Sequence, residues 1–219
     1  MATFFSGVII DMDGLLLDTE RLQMEVGPTV LADLGHDLPE EYFKSLVGVA
    51  RLQAAQMIEE RVGFPIDAAA LDSAWDLAMD KRMADGVPLR PGVHDFLDAL
   101  DRLDIPRAVA TNSMTARAEW KLDHAGLLGR LDAVVGVDQV AHGKPAPDVY
   151  LEGAKRLGFH PSQCVALDDS DLGVQSALAA GMMMVIQIPD LVASVDRKAH
   201  HEVTDLSAAK AILKIKEFG

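Results

Sequence analysis

Five short apolar runs separated by amphipathic helical patterns predict a doubly wound α/β sheet, and a long strand-free interval after the first run predicts an all-helical insertion. The runs cover residues 5–10, 108–110, 133–137, 165–167 and 183–188. They lack the alternation of a half-exposed sheet, so they read as parallel strands buried on both faces. A third observation agrees with this reading. Carboxylates, a hydroxyl and a lysine cluster directly after the runs, where open α/β sheets bind their ligands.

The first run ends in Asp11-Met12-Asp13-Gly14. From residue 16 to 87 the pattern is helical throughout. Leu22, Val26, Val30, Leu31 and Leu34 form one stripe, with a kink expected at Gly27-Pro28. Leu52, Ala55, Met57, Ile58 and Val62 form a second stripe, and Leu71, Trp75, Ala78, Met79 and Met83 a third. Residues 86–92 read as the linker that returns to the sheet. Beyond it, Val93, Phe96, Leu97, Leu100 and Leu103 share a helix face. Val149, Leu151, Ala154 and Leu157 share another, ended by Gly158, and Val174, Ala177, Leu178 and Ala180 a third, ended by Gly181. The expected organisation is a Rossmann-like catalytic core from residues 1–15 and 88–219, with a helical cap over residues 16–87.

Composition narrows the function classes. A chain of 219 residues with 49% hydrophobic content can bury a sizeable core. No apolar stretch is long enough to span a bilayer, and the N-terminus does not read as a signal peptide. The single cysteine, Cys164, excludes an internal disulfide. A cytoplasmic protein is expected. The formal charge of −14 argues against nucleic acid and anionic membranes as general partners. A small anionic substrate stays compatible with it, because a metal ion and one lysine reverse the field inside a cleft.

The residues after the strands define a chemistry. In extended chain, Asp11 and Asp13 face the same side and Met12 points away. One carboxylate can attack phosphorus while the other handles a proton, and Gly14 lets the chain turn sharply. The second strand ends in Thr111-Asn112-Ser113, His142-Gly143-Lys144-Pro145 follows the third, and Asp168-Asp169-Ser170 ends the fourth. So many carboxylates call for a neutralising cation, and oxygen ligands with a substrate phosphate suit Mg²⁺.

DMDGLLLDTE, ATNS, GKPAPD and LDDSDLGVQSALAAGM, in that order and spacing, resemble the four motifs of the haloacid dehalogenase-like hydrolase superfamily, in its β-phosphoglucomutase-like branch with a helical cap. The resemblance spans nearly the whole chain. It implies that Asp11 is the nucleophile forming an aspartyl-phosphate, and that Asp13 is general acid and then base, with its backbone carbonyl on the metal. It further implies that Thr111 and the Asn112 backbone amide hold phosphate oxygens and that Lys144 offsets charge. Asp168 and Asp169 would bind Mg²⁺ together with Asp11. Many relatives carry Glu in place of Asp168, and the shorter side chain implies contact with the metal through water.

Residues 44–51 resemble the specificity loop of the cap, with Gly48 allowing close approach and Arg51 at the position that grips a distal anionic group. Gln23 stands where the mutases carry a histidine. An amide does not titrate like imidazole, which favours hydrolysis. Asp13 separates the chain from haloacid dehalogenases and phosphonatases, which lack this second acid. The expected function is Mg²⁺-dependent hydrolysis of a small phosphomonoester, a sugar phosphate above all, by a monomer whose cap completes its own site. The alternatives are a β-phosphoglucomutase-like sugar phosphomutase and, in another class, a non-catalytic phospho-acceptor or phosphometabolite sensor.

Each feature also has a plainer reading. Thr111 could cap a helix, Asp168 and Asp169 could complement the dipole of the following helix, and Lys144 could be a solvated residue before an extended Lys-Pro step. Asp171 reads as an ordinary first-turn acid and His200-His201 as surface. Cys164, Trp75, Trp120 and the ten methionines read as packing residues.

Overall fold

Gly7–Ile10 (β1) is buried at every position and pairs in parallel on both sides. Arg107–Ala110 (β2) and Ala133–Val135 (β3) extend the sheet on one side. On the other lie Cys164–Asp168 (β4), buried throughout, Met184–Gln187 (β5) and the two-residue His201–Glu202 (β6). The order is β3-β2-β1-β4-β5-β6, all parallel. The chain therefore reverses its direction of travel between β1 and β4, which makes their carboxyl ends the ligand-binding crevice. The computed structural model describes residues 3–46, 49 and 51–215.

All five predicted strands are present. β6 is an addition that no apolar run announces, because both its residues are exposed. Backbone pairing holds it: His200 N donates to Val185 O and Val203 N to Gln187 O, at 3.0 and 2.9 Å. His200 Nδ1 also accepts from Val185 N, so this exposed histidine pins the sheet edge.

Thr19–Val87 form one compact unit, and the chain on both sides of that stretch forms the other. Thr19–Asp33 (α1), Glu40–Lys44 (α2), Arg51–Val62 (α3) and Ala68–Met83 (α4) make up the helical unit. α1 runs on through Pro28. Val30, Leu31, Phe43, Ala55, Ile58 and Leu71 form the core of this unit, against which Trp75 packs. The compact sheet unit continues to Asp18, three residues past residue 15, where the first core segment was expected to end. Arg90 N donates to Leu16 O, Asp18 N donates to Pro88 O, and Leu17 bridges Leu89, so the outgoing and returning segments pair with each other.

Val93–Arg102 (α5), Thr115–His124 (α6), Asp148–Leu157 (α7), Asp171–Ala179 (α8) and Leu206–Ile212 (α9) complete the sheet unit. α7 ends at Gly158, whose φ of 79° is the left-handed conformation that glycine adopts without penalty. The face of α7 differs from the predicted one. Val149, Tyr150, Gly153 and Ala154 are buried, whereas Leu151 is 41% exposed. The large aromatic ring takes the place in the core.

Asp171 does more than begin α8. Its carboxylate accepts from Gln187 Nε2, Ser194 Oγ and the Val195 and Asp196 amides, at 2.6–3.1 Å, and so fastens the loop after β5. Burial alone would raise its pKa, but these bonds outweigh burial and bring it down to about 2. A depressed carboxylate stabilises the fold above its unfolded value, and that contribution is lost as pH falls through the folded one. Asp171→Asn should therefore cost about 1–3 kcal/mol at neutral pH. Denaturant titrations of both proteins should converge as pH falls from about 4 towards about 2.

Candidate active site

The register that pairs Ile10 with Leu167 delivers Asp11 and Asp168 side by side at the ends of β1 and β4. Asp11 N donates to Leu167 O at 2.9 Å, which fixes the backbone from which its carboxylate projects. Both carboxylates are buried, Asp168 completely. Lys144, itself buried at the side chain, bridges them: its ammonium donates to Asp11 Oδ1 and, at 2.7 Å, to Asp168 Oδ2. Asn112 holds the lysine's main chain. Its side-chain oxygen accepts from Lys144 N at 2.7 Å and its amide donates to Lys144 O at 3.3 Å.

Burial pushes the Asp11 pKa up, to about 7, against the pull of Lys144 and with the repulsion of Asp168 adding to it. Burial also opposes the Lys144 ammonium, but the two carboxylates outweigh it and hold the lysine above its ordinary value. One cation thus faces two buried carboxylates.

Met12 is fully buried in the core, and the Asp13 carboxylate lies near enough to Asp11 for its charge to add to the rise of the Asp11 pKa. The Met12 carbonyl accepts from Leu16 and Leu17 N at 3.0 Å, so the chain closes into a tight turn immediately after the two acids. Gly14 adopts φ 82° in that turn, and a methyl group on it would overlap the Asp169 carboxylate. Asp169 therefore lies against the Asp13-Gly14 segment.

Thr111 ends β2, buried, with its N donating to Val135 O. Its hydroxyl accepts from Ser113 N at 3.1 Å, a turn contact and not a helix cap, since α6 begins only at Thr115. Capping does not account for Asp168 and Asp169 either, because the Ser170 hydroxyl caps α8 by accepting from Gly173 N. Asp168 accepts from Lys144 and the Tyr150 hydroxyl through Oδ2, and from the Ser170 amide and hydroxyl through Oδ1, at 2.6–2.9 Å.

The structure thus brings together Asp11, Asp13, Lys144, Asp168 and Asp169 at the carboxyl edge, with Thr111 and Asn112 on the next strand end. Gln23 is an exposed residue of α1, Arg51 is the first residue of α3, and Gly48 lies outside the described residues.

Three further residues enter this site without having been singled out. The Tyr150 hydroxyl reaches Asp168 at 2.6 Å. Ser113 Oγ donates to Asp13 Oδ2 at 3.0 Å. Lys121 Nζ donates to Asp13 Oδ1 and Oδ2 at 2.8 and 3.0 Å. The signal for Lys121 was available in sequence: it falls in the apolar row Thr115, Ala118, Leu122 of α6, where a lysine needs a buried partner. Ser113 was marked only as part of the Thr111-Asn112-Ser113 strand end, and Tyr150 carried no such signal.

A buried acid pinned by a lysine, with a second acid two residues on, stands at the switch point, where open α/β sheets bind their ligands. A family model for haloacid dehalogenase-like hydrolases matches residues 5–181. The chain belongs to that family. It is 39% identical over 178 residues to the fructose-1-phosphate phosphatase YqaB of Escherichia coli (strain K12), covering 81% of this chain and 94% of that one. It is 33% identical over 184 residues to a phosphorylated carbohydrates phosphatase of Thermotoga maritima, covering 80% and 81%. Among solved structures, a HAD family hydrolase of Deinococcus radiodurans R1 with bound phosphate and sodium superposes with a TM-score of 0.81 at 27% identity, over 98% and 97% of the two chains. Fold, site and relatives together define a phosphomonoester hydrolase.

The charge count makes a stability prediction. Metal-free Lys144→Met leaves two buried carboxylates unpaired and should lose about 3–5 kcal/mol. Asp11→Asn leaves one ammonium on one carboxylate and should be at least as stable as the parent. Because the Asp11 pKa is raised, its ionisation costs the parent stability as pH climbs from about 4 through about 7, and the advantage of Asp11→Asn should grow over that window. Chemical denaturation at several pH values checks both.

Proposed function

We propose that this chain hydrolyses the phosphomonoester of a small sugar-like metabolite through an aspartyl-phosphate on Asp11. The observation that carries the reading is the buried Asp11–Lys144–Asp168 bridge with the Asp13 charge close to Asp11. Asp11 attacks phosphorus as the ester P–O bond breaks, and Asp13 gives its proton to the departing oxygen. Water then attacks the acyl phosphate, Asp13 takes its proton, and inorganic phosphate leaves with Asp11 regenerated. Thr111 and the Asn112 backbone amide hold phosphate oxygens, and Lys144 offsets the charge that gathers on them.

The donor chemistry fits Mg²⁺. Ionised, the four carboxylates of Asp11, Asp13, Asp168 and Asp169 exceed the ammonium groups of Lys144 and Lys121 by two charges, the amount a divalent cation neutralises. Among the described residues no three His, Cys, Asp or Glu side chains are grouped to hold a metal ion. The protein donors would then be Asp11, Asp169 and the Asp13 carbonyl, which suits an ion that keeps waters and accepts a substrate oxygen. Asp168, its oxygens engaged with Lys144, Tyr150 and Ser170, would act beside them. Such an ion would keep Asp11 ionised and draw charge from the phosphoryl oxygens. Gln23, Gly48 and Arg51 are proposed, on the family resemblance, to select the substrate. The fructose-1-phosphate and phosphorylated-carbohydrate activities named for two relatives support a sugar phosphate.

Product-resolved ³¹P NMR tests the reading with a panel of sugar phosphates, phosphoglycolate and nucleoside monophosphates, with and without a sugar bisphosphate. Free phosphate should appear from the sugar phosphates, stop on chelation and resume with Mg²⁺. Asp11→Asn should lower turnover by about 10³-fold or more. A phosphoryl group moved within the sugar with no free phosphate would establish the mutase instead.

A further inference from the structure

Two lysines serve the two catalytic acids, and they come from different elements. Lys144 is committed to Asp11 and Asp168. Lys121 stands apart on the buried face of α6 and grips both oxygens of Asp13, while Ser113 donates to one of them. The Lys121 side chain is 11% exposed, so its ammonium has given up most of its hydration to make this contact. Such a site is costly unless the partner is held as firmly as the lysine is.

The two donors hold the Asp13 carboxylate between them. The single Lys121 nitrogen, close to both oxygens, sets where the carboxyl group points, and the Ser113 hydroxyl on one oxygen limits its rotation about the last side-chain torsion. Proton delivery to a leaving oxygen depends on that direction, since a transfer needs heavy atoms about 2.6–3.2 Å apart and aligned. We propose that Lys121 is a positioning residue for Asp13, aiming its proton at the leaving-group oxygen so that the enzyme can cleave esters of poor leaving groups. This rests on the reading of Asp13 as proton donor.

The consequence depends on the substrate. Phenyl phosphate and 4-nitrophenyl phosphate are nearly the same shape, but the nitrophenolate departs readily without a proton and the phenolate does so poorly. The ratio of their kcat/KM values reports proton delivery, because kcat/KM includes steps only through leaving-group departure. A residue that merely supports the fold would change both esters alike.

Lys121→Met should lower kcat/KM for phenyl phosphate at least about tenfold more than for 4-nitrophenyl phosphate, within the range that general acids contribute. Lys121→Gln, whose amide is neutral and one bond shorter, should change the ratio in the same direction, and it leaves the ratio readable if the methionine variant folds poorly. Equal losses on the two esters, or no loss, would overturn the proposal. Asp13→Asn is measured beside them. If it discriminates between the esters and the Lys121 variants do not, only the role of Lys121 falls. If Asp13→Asn lowers both esters equally, the proton-donor reading itself falls, and the assignment of Lys121 with it.

Discussion

The Lys144 ammonium is the contact on which the site is built. Parallel pairing of β1 with β4 places Asp11 and Asp168 next to each other at buried positions. Two carboxylates there repel at short range with little water to screen them. A cation between them turns that repulsion into a bridge, and the lysine is held in place from behind by the Asn112 side chain on its main chain. The end of β2 and the ends of β1 and β4 therefore meet at one residue of the loop before α7. Burying so many charges weakens the case for the bridge as a source of stability. Its value lies in presenting Asp11 in one orientation before any substrate arrives.

The same logic governs Asp13 with different parts. Its partners, Ser113 and Lys121, follow β2, whereas those of Asp11 come from the loop before α7 and from β4. The two acids are only two residues apart, and Met12 anchors the strand end between them in the core. Each carboxylate is thus set by its own donors. In the proposed reaction one must stay a nucleophile while the other alternates between acid and base. Separate supports let these tasks be tuned apart, and fixed donors spare the reaction the cost of reorganising them.

Much of this was legible in the sequence, for identifiable reasons. The buried strands are continuous apolar runs, so they stand out, and polar residues after them mark the carboxyl edge. β6 escaped because its two exposed residues carry no hydrophobic signal and depend on backbone pairing with β5. Tyr150 escaped because Val149 and Leu151 also fit a helical stripe; only packing decides that the aromatic faces inward and its hydroxyl meets Asp168. Asp171 looked like a helix-start acid because its partners at 194–196 are remote in sequence and two of them are backbone amides. Lys121 is the instructive case. A charged residue in an apolar row was visible, but its partner lies 108 residues away, and local pattern carries no information about that distance.

Asp168 shows how tightly the core edge is adjusted around charge. A methyl group on Gly173 would overlap its carboxylate, so the first turn of α8 approaches as closely as backbone allows. Ser170 donates twice from that turn, Tyr150 donates from α7, and Lys144 from the loop before it. A carboxylate so enclosed has little capacity left for a ligand outside the protein. Its charge is directed inward, at Lys144, and through Lys144 at Asp11. Asp169, the next residue, lies instead against the turn at Gly14. Two adjacent acids of the same type thus have different surroundings because one ends a buried strand and the other begins the half-buried turn after it. The protein as a whole is strongly acidic, with a formal charge of −14, and offers a phosphate no long-range attraction. Capture of an anion must therefore be decided within a few ångströms, at the carboxyl edge of the sheet itself.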